Sequence, residues 1–126
     1  DVVDSDGYYI GGAIAPGLRI SMDALVARAA RIASIPLETP PHAIGRTTEE
    51  AVQSGAVLGT AAMVEGLVSR IRAELGAPEA RVIATGGLAN IVADSTNVFD
   101  VVDGQLTLKG ICEIARRMRD RVPRTA

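Results

Sequence analysis

The segment from Ile44 to Gly55 has the residue types of a ligand-binding helix start, because hydroxyl, guanidinium and amide side chains precede an apolar helical pattern. Thr47 is followed three residues later by Glu50, which predicts a capping box: the threonine accepts from the third backbone N–H and the glutamate reaches back to the cap. Thr48 then keeps a free hydroxyl in the first turn. Since a helix start carries unpaired N–H groups and partial positive charge, it suits a small anionic or hydroxylated ligand; an ordinary cap is the alternative.

Two other short motifs have residue types suited to phosphate chemistry. Asp4 and Asp6 follow two valines and resemble the aspartate motif of haloacid dehalogenase phosphatases, in which a carboxylate attacks phosphorus. Tyr8 departs from that motif, so a hairpin turn is the preferred interpretation. Gly86 and Gly87 follow a predicted strand, and glycines let a phosphate or an adenosine approach backbone N–H groups. A structural tight turn explains the two glycines equally well.

The remaining reactive side chains stand alone in the sequence. His42 is the single histidine and has no second ligand or base at useful spacing, so we expect an ordinary loop residue. Cys112 is the single cysteine, which excludes an intramolecular disulfide and predicts a small buried hydrophobe. Acidic residues interrupt the arginines near the C-terminus, which favours a solvated helix end. The sequence therefore predicts no catalytic residue and no metal site within this chain.

Composition limits the class of partner. The chain has 126 residues, a net charge of −2, two tyrosines, one phenylalanine and no tryptophan. Few aromatics and no basic excess argue against nucleic acid and against an anionic membrane as partners. No uncharged apolar stretch of about 18 residues and no leader pattern is evident, so we expect a soluble, cytoplasmic protein. The chain begins on Asp1 without methionine, and we expect it to be one domain of a larger protein.

An α/β domain must position these residues, because helical and extended patterns alternate along the chain. We expect a core of small aliphatic side chains. The predicted elements, in order, are a hairpin around Asp6 and Gly7, a helix over Leu18–Ile32, a proline-rich connection over 34–42, a long helix over Thr48–Leu75, a buried strand over Arg81–Ala84, a short helix over Leu88–Ala93, an extended piece over Asn97–Gly104 and a last helix over Leu108–Arg121.

The two longest predicted helices are expected to pack against their neighbours in different ways. The helix over Thr48–Leu75 has so wide an apolar surface that it needs partners on two sides. Gly55 and Gly59 lie one turn apart in it, and close packing against another helix, of this chain or of a second subunit, would explain why they are tolerated. The last helix is predicted to turn four apolar side chains inward: Ile111, Ile114, Ala115 and Met118.

Four segments indicate a family only when they are considered together: Gly11–Leu18 (GGAIAPGL), Ile44–Gly55 (IGRTTEEAVQSG), Val82–Ala89 (VIATGGLA) and Asp103–Gly110 (DGQLTLKG). In this order and spacing they resemble the C-terminal half of type III pantothenate kinases, and the match extends over essentially the whole chain. That family belongs to the acetate and sugar kinase, Hsp70 and actin superfamily. The resemblance implies half of an actin-like, ribonuclease H-like kinase fold, with short strands packed with long helices.

The resemblance also implies a function. Members of the family transfer the γ-phosphate of ATP to the 4′-hydroxyl of pantothenate in coenzyme A biosynthesis, as cytoplasmic homodimers that need Mg²⁺ and a monovalent cation, K⁺ or NH₄⁺. Thr48 matches the threonine that contacts pantothenate, while Thr47 stands where the family usually has asparagine. Gly86 and Gly87 match a glycine turn near adenosine. The helix over residues 48–75 matches the dimer helix.

Three family motifs have no counterpart in these 126 residues. They are the Asp-x-Gly-Asn-Thr phosphate loop, the Gly-x-Asp-Arg segment with the catalytic aspartate, and the Asp-x-Gly-Thr motif for cation and ATP. The resemblance therefore implies that residues 1–126 are the substrate and dimerisation half, without the N-terminal ATP-binding half that holds most of the cofactors, and are inactive alone. The alternative is a non-catalytic dimerising or ligand-binding module of the same fold.

Overall fold

The computed structural model describes residues 1–28 and 35–121, and it shows a mixed α/β arrangement of short strands and helices. The two strand pairs are separate: β1 and β2 are antiparallel, and β3 and β4 are parallel. The elements follow the predicted order: β1 (Val2–Val3), β2 (Tyr9–Gly11), α1 (Leu18–Arg28), α2 (Thr48–Gln53), a π-helical turn (Ser54–Leu58), α3 (Gly59–Leu75), β3 (Ile83–Ala84), α4 (Ala89–Ala93), β4 (Val101–Val102) and α5 (Leu106–Arg121).

The turn between β1 and β2 is organised by the side chain of Asp4. Its Oδ1 accepts hydrogen bonds from the backbone N–H of Asp6 at 3.0 Å and of Tyr8 at 2.8 Å. Gly7 has a φ of +87°, in the left-handed region that favours glycine. The first acidic side chain is thus engaged by its own turn, which confirms the hairpin interpretation of this motif.

The predicted long helix runs from Thr48 to Leu75, with the π-helical turn Ser54–Leu58 between α2 and α3. The core gathers around this π-helical turn, against which α1 and α4 both pack. Val57, at its centre, is fully buried. The core side chains are small and mostly aliphatic, as predicted: Leu18, Met22, Ala56, Val57, Ala61 and Val92.

The connection after the long helix leads the chain into β3. Gly76 ends the helix in the left-handed conformation, with φ +61°. Arg72 then donates from Nε and Nη2 to the carbonyl oxygen of Ala80, at 3.0 and 2.6 Å. Ahead of β3, the N–H of Val82 donates to Oδ2 of Asp100 at 2.6 Å, which ties the two parallel strands together. These contacts direct β3 toward the turn at Gly86.

Several predicted details are wrong. The strand covers two residues instead of four, and Ile83 is 47% exposed, since only β4 pairs with it. Helix α5 begins at Leu106, two residues early, and Cys112 on it is exposed rather than buried. The four apolar side chains expected to point inward are also exposed, because α5 contributes nothing to the core of the described residues: Ile111, Ile114, Ala115 and Met118.

The polar face of α5 carries an ion-pair network. Arg116 and Arg117 both donate to the carboxylate of Glu113, at 2.8 and 2.6 Å, and Arg116 also contacts Asp120 at 3.2 Å. The two guanidinium groups lower the pKa of Glu113 to about 2. This part of the basic C-terminal stretch is a solvated helix face, as predicted, while Arg124 lies outside the described residues.

The apolar residues of the predicted helix Leu18–Ile32 recur at helical spacing: Met22, Leu25, Val26, Ala29 and Ile32. Helix α1 is described over Leu18–Arg28, so Ala29 and Ile32 lie outside the described residues. Met22 is buried, as this spacing predicts, whereas Leu25 is 46% exposed. The face that packs on the π-helical turn is therefore narrower than the periodicity indicates.

The long helix is the one helix among the described residues that is long and apolar enough to cross a membrane. Only 22% of its most apolar window is buried in this chain. Such length and composition are weak evidence, because core helices of soluble proteins share them. Glu65, near the middle of the helix, accepts a hydrogen bond from the Thr96 hydroxyl at 2.6 Å, so this side has a protein partner.

Candidate functional site

The start of α2 is capped by Thr47, as predicted. Thr47 has an extended backbone, and its Oγ1 accepts a hydrogen bond from the N–H of Glu50 at 3.1 Å. The other half of the predicted capping box is wrong by one residue: the Glu50 carboxylate accepts from the N–H of Arg46, at 2.7 Å, instead of from Thr47. The loop bends at Gly45 and brings the Arg46 N–H over the first turn. The two contacts fix the loop to the helix start from both sides.

Thr48 occupies the first turn of α2 and is exposed. No hydrogen bond within the described part of the chain engages its hydroxyl, in agreement with the spare hydroxyl that the sequence predicts. The N–H groups of a first helical turn have no carbonyl partner inside the helix. A polar ligand at this position would therefore meet a hydroxyl and backbone donors together.

The loop that leads to this helix start, residues 35–47, is anchored to the long helix by two side chains. Gln53, the one buried polar residue in the part of the chain described, donates from Nε2 to the carbonyl oxygen of Pro36 at 3.0 Å. Ser54 donates from Oγ to the carbonyl oxygen of Ala43 at 2.6 Å. Both anchors lie at the junction of α2 and the π-helical turn. The position of the loop thus depends on the helix geometry there.

Gly45 makes the closest approach between the loop and the helix. A Cβ atom at this position would lie 2.2 Å from the backbone nitrogen of Ala51 and 2.5 Å from its Cα. Backbone atoms of a helix cannot move aside for such a contact, so only glycine fits. Sequence reasoning missed this role. The sequence feature that could have indicated this role is a glycine directly before residues 46–50, which form the two contacts at the helix start.

A cavity of about 410 Å³ adjoins α1, but a smaller one, about 380 Å³, opens beside the helix start. His42, Ala43, Ile44 and Arg46 line the smaller cavity. The isolated loop histidine of the sequence is thus placed with an arginine around one space. An imidazole and a guanidinium supply hydrogen-bond donors that suit a carboxylate or a hydroxyl group. The sequence feature that could have indicated this pairing is that His42 and Arg46 lie four residues apart, on either side of Gly45.

The second glycine turn lies between β3 and α4. Gly86 has a φ of +104°, and its carbonyl oxygen accepts from the N–H of Ala89 at 3.2 Å. Gly87 has no positive φ, and a Cβ atom added at either glycine would meet open space. The backbone therefore requires glycine at position 86 only. Open space at Gly87 is compatible with close approach of another group.

The two glycine-turn residues and the helix start are linked only indirectly. Helix α4 packs against the π-helical turn, and the Thr39 hydroxyl donates to the carbonyl oxygen of Ile91 at 3.3 Å. Within the described ranges, Gly86 and Gly87 share neither a cavity nor a hydrogen bond with Thr48. Among the described residues, the structure thus places His42 and Arg46 around one cavity in the loop before the helix start and leaves the glycine turn separate from Thr48.

Replacing the two glycines of this turn is expected to have unequal effects. Gly86→Ala forces a Cβ into a left-handed conformation and should lower the free energy of unfolding by about 1–2 kcal/mol. Gly87→Ala, the matched control, should change it by less than about 0.5 kcal/mol. Urea unfolding followed by circular dichroism measures both. Equal losses would show that the backbone at Gly86 is not what selects glycine.

The groups implied by the resemblance fit this chain unequally. In residues 1–28 and 35–121, no group of three or more His, Cys, Asp or Glu side chains could hold a metal ion. The described residues thus form no metal site from protein ligands alone, whereas Mg²⁺ is usually held by one or two carboxylates together with substrate phosphates. The open glycine turn is compatible with approach of a nucleotide, although it offers no charged side chain of its own.

Comparison with known proteins gives one consistent result. The family model described as type III pantothenate kinase matches residues 1–70. The chain is 54% identical over 118 residues to the type III pantothenate kinase of Thermomicrobium roseum, covering 94% of this chain and 45% of that protein. It is 47% identical over 117 residues to the enzyme of that name from Paramagnetospirillum magneticum, covering 93% and 45%. The chain thus spans about half the length of the curated relatives it matches.

Proposed function

Because the chain belongs to the type III pantothenate kinase family, we propose that it supplies the pantothenate-binding and dimerisation part of an ATP-dependent pantothenate kinase. Membership confirms the resemblance of the four segments. On this proposal residues 1–126 form the C-terminal domain of an actin-like kinase fold and act with a second, ATP-binding half. The observation that carries the proposal is the exposed Thr48 hydroxyl at a helix start, which follows directly in sequence on the loop whose residues His42 and Arg46 line one cavity.

Pantothenate has chemistry that suits this helix start. It carries a carboxylate at one end and hydroxyl groups at the other, and guanidinium and imidazole donors recognise carboxylates well. We assign Thr48 to hydrogen bonding with the bound substrate, and His42 and Arg46 to its orientation. The contacts of Glu50 and Ser54 hold the backbone of the loop at Arg46 and Ala43 before the substrate arrives.

Phosphoryl transfer itself needs groups that the described residues do not provide. Catalysis of this reaction depends on positioning and on stabilising charge around the transferred phosphate. When bound, ATP supplies that phosphate. Gly86 and Gly87 are proposed to leave room for its adenosine, while Mg²⁺ and the monovalent cation are assigned to the other half. The chain is therefore proposed to bind and orient substrate and to be inactive alone.

The long helix is proposed to form the homodimer contact. Gly55, Gly59 and Gly66 have open space where a Cβ would lie, so no packing among residues 1–28 and 35–121 explains them. Met63 and Leu75 on the same helix remain partly exposed. Small residues and exposed apolar groups together suit close approach of a second copy.

A chimera tests the proposed function. The matched 118 residues of the Thermomicrobium roseum enzyme are replaced by those of this chain, and formation of 4′-phosphopantothenate from pantothenate and ATP is measured. We expect activity in the chimera and none in the purified 126-residue chain. Activity of the chain alone would contradict the half-enzyme assignment. A folded chimera that binds pantothenate without phosphorylating it would favour the alternative, a non-catalytic binding module.

A further inference from the structure

Helix α5 has one side that faces solvent and an opposite side that has no partner among the residues that the structure describes. Its polar side carries the Glu113 network with Arg116 and Arg117. Side chains on the opposite side recur at helical spacing, and the core of the described residues includes none of them. The large apolar ones are 57–64% exposed: Leu108, Ile111, Ile114 and Met118. A clean separation of this kind is typical of a helix that packs against protein along one face.

A second copy of the chain that was held only through this face would bind too weakly to form a stable dimer. Burying a large aliphatic side chain removes about 60–120 Å² from water, so four of them, already partly covered, offer roughly 300 Å². A stable interface between separate proteins buries about 800 Å² on each partner. The occupant must therefore be held at other contacts as well, as a connected part of one enzyme is; a second copy held through the long helix is the competing occupant, which the sedimentation experiment below tests.

We propose that the apolar face of α5 docks onto the part of a type III pantothenate kinase that lies outside the residues matched by this chain. This inference rests on the proposed function. The match to the Thermomicrobium roseum enzyme covers 94% of this chain, so it includes most of α5, yet only 45% of that enzyme. More than half of the relative thus remains available to cover the face. Docking of α5 would join the two halves of the enzyme.

The test compares the same substitutions in the 126-residue chain and in the chimera described above. Ile111→Gln should lower the thermal midpoint of the chimera by at least about 4 °C, because the side chain is buried there, and that of the chain alone by less than about 2 °C. Arg117→Gln, on the polar face, is the matched control and should stay below about 2 °C in both. A small, equal effect of Ile111→Gln in the two proteins would overturn the proposal.

Cys112 gives a second measurement that does not depend on stability. Its thiol is exposed in this chain, and it lies at the border of the apolar face. In a chimera whose other cysteines are changed to serine, reaction with a thiol reagent should slow at least tenfold relative to the 126-residue chain; equal rates would overturn docking. If the full exchange does not fold, grafting Leu106–Arg121 alone into the relative allows both measurements.

Other occupants have distinct outcomes. A dimer of the 126-residue chain in sedimentation that Ile111→Gln dissociates would assign the face to a second copy and overturn the proposal. Binding of the chain to anionic lipid vesicles that the same substitution abolishes would assign it to a membrane surface. Kinase activity is not a readout here, so an inactive chimera with a protected α5 would contradict the proposed function and still support docking.

Discussion

Gly45→Ala is expected to lower the free energy of unfolding of this chain by about 3 kcal/mol or more. The new Cβ would lie 2.2 Å from the backbone nitrogen of Ala51, well inside van der Waals contact. Since the helix backbone cannot yield, the loop must move away. That movement breaks the hydrogen bond from the Arg46 N–H to Glu50 and the one from Ser54 to Ala43. Urea unfolding measures the loss directly.

Gly55→Ala is the matched control for this experiment. It lies in the same long helix, and a Cβ there meets nothing within 4 Å. Alanine is a better helix former than glycine, so this change should raise the free energy of unfolding by about 0.5–1 kcal/mol. The two glycine substitutions are therefore expected to have opposite signs. Similar losses at both positions would show that the loop does not pack on the helix as closely as the structure has it.

The predictable part of this fold rests on local chemistry. A turn at Gly7 and a cap at Thr47 each depend on groups within four residues along the chain, so the sequence carries the full signal. The order of elements follows for the same reason, since periodicity distinguishes helix from strand. The four segments considered together predicted the family, and the comparisons with known proteins confirmed it.

The details that were missed depend on groups far apart or absent. Periodicity shows which face of α5 is apolar, but it cannot show whether a partner for Ile111 lies in the same chain. The role of Gly45 depends on a bend that carries the loop back over Ala51, and the cavity of His42 and Arg46 depends on the same bend. The Gly45 contact and the cavity can be predicted only if the path of the loop is known, and the prolines and glycines of the loop constrain that path without determining it.

Local chemistry also explains why the sequence points to the Thr48 hydroxyl and not to His42 or Arg46. A free hydroxyl at a helix start follows from the capping pattern alone, because Thr47 takes the cap and leaves the next hydroxyl unused. The assignment of Thr48 to pantothenate comes from the resemblance and stays a prediction. His42 and Arg46 line a common cavity only once the loop is folded, so the sequence alone did not propose them as site residues.

Thr48→Val in the active chimera is expected to raise the KM for pantothenate about 10- to 100-fold, because a substrate group that the hydroxyl satisfies would be left unpaired at a cost of about 1–3 kcal/mol. The KM for ATP should change little, since the glycine turn shares no contact with this residue among the described residues. Thr48→Ser should restore most of the affinity. Steady-state kinetics with each substrate varied in turn separates these effects.

Thr47→Val is expected to have the opposite pattern of effects on stability and on the KM for pantothenate. It removes the cap bond to the Glu50 N–H and should lower the free energy of unfolding by about 1 kcal/mol, with less effect on the KM for pantothenate than Thr48→Val. Thr48→Val should change stability by less than about 0.5 kcal/mol, because its hydroxyl makes no hydrogen bond within the described residues. If Thr48→Val left the KM for pantothenate unchanged, the hydroxyl would be spare in the bound state as well. Substrate recognition would then fall to His42 and Arg46 alone.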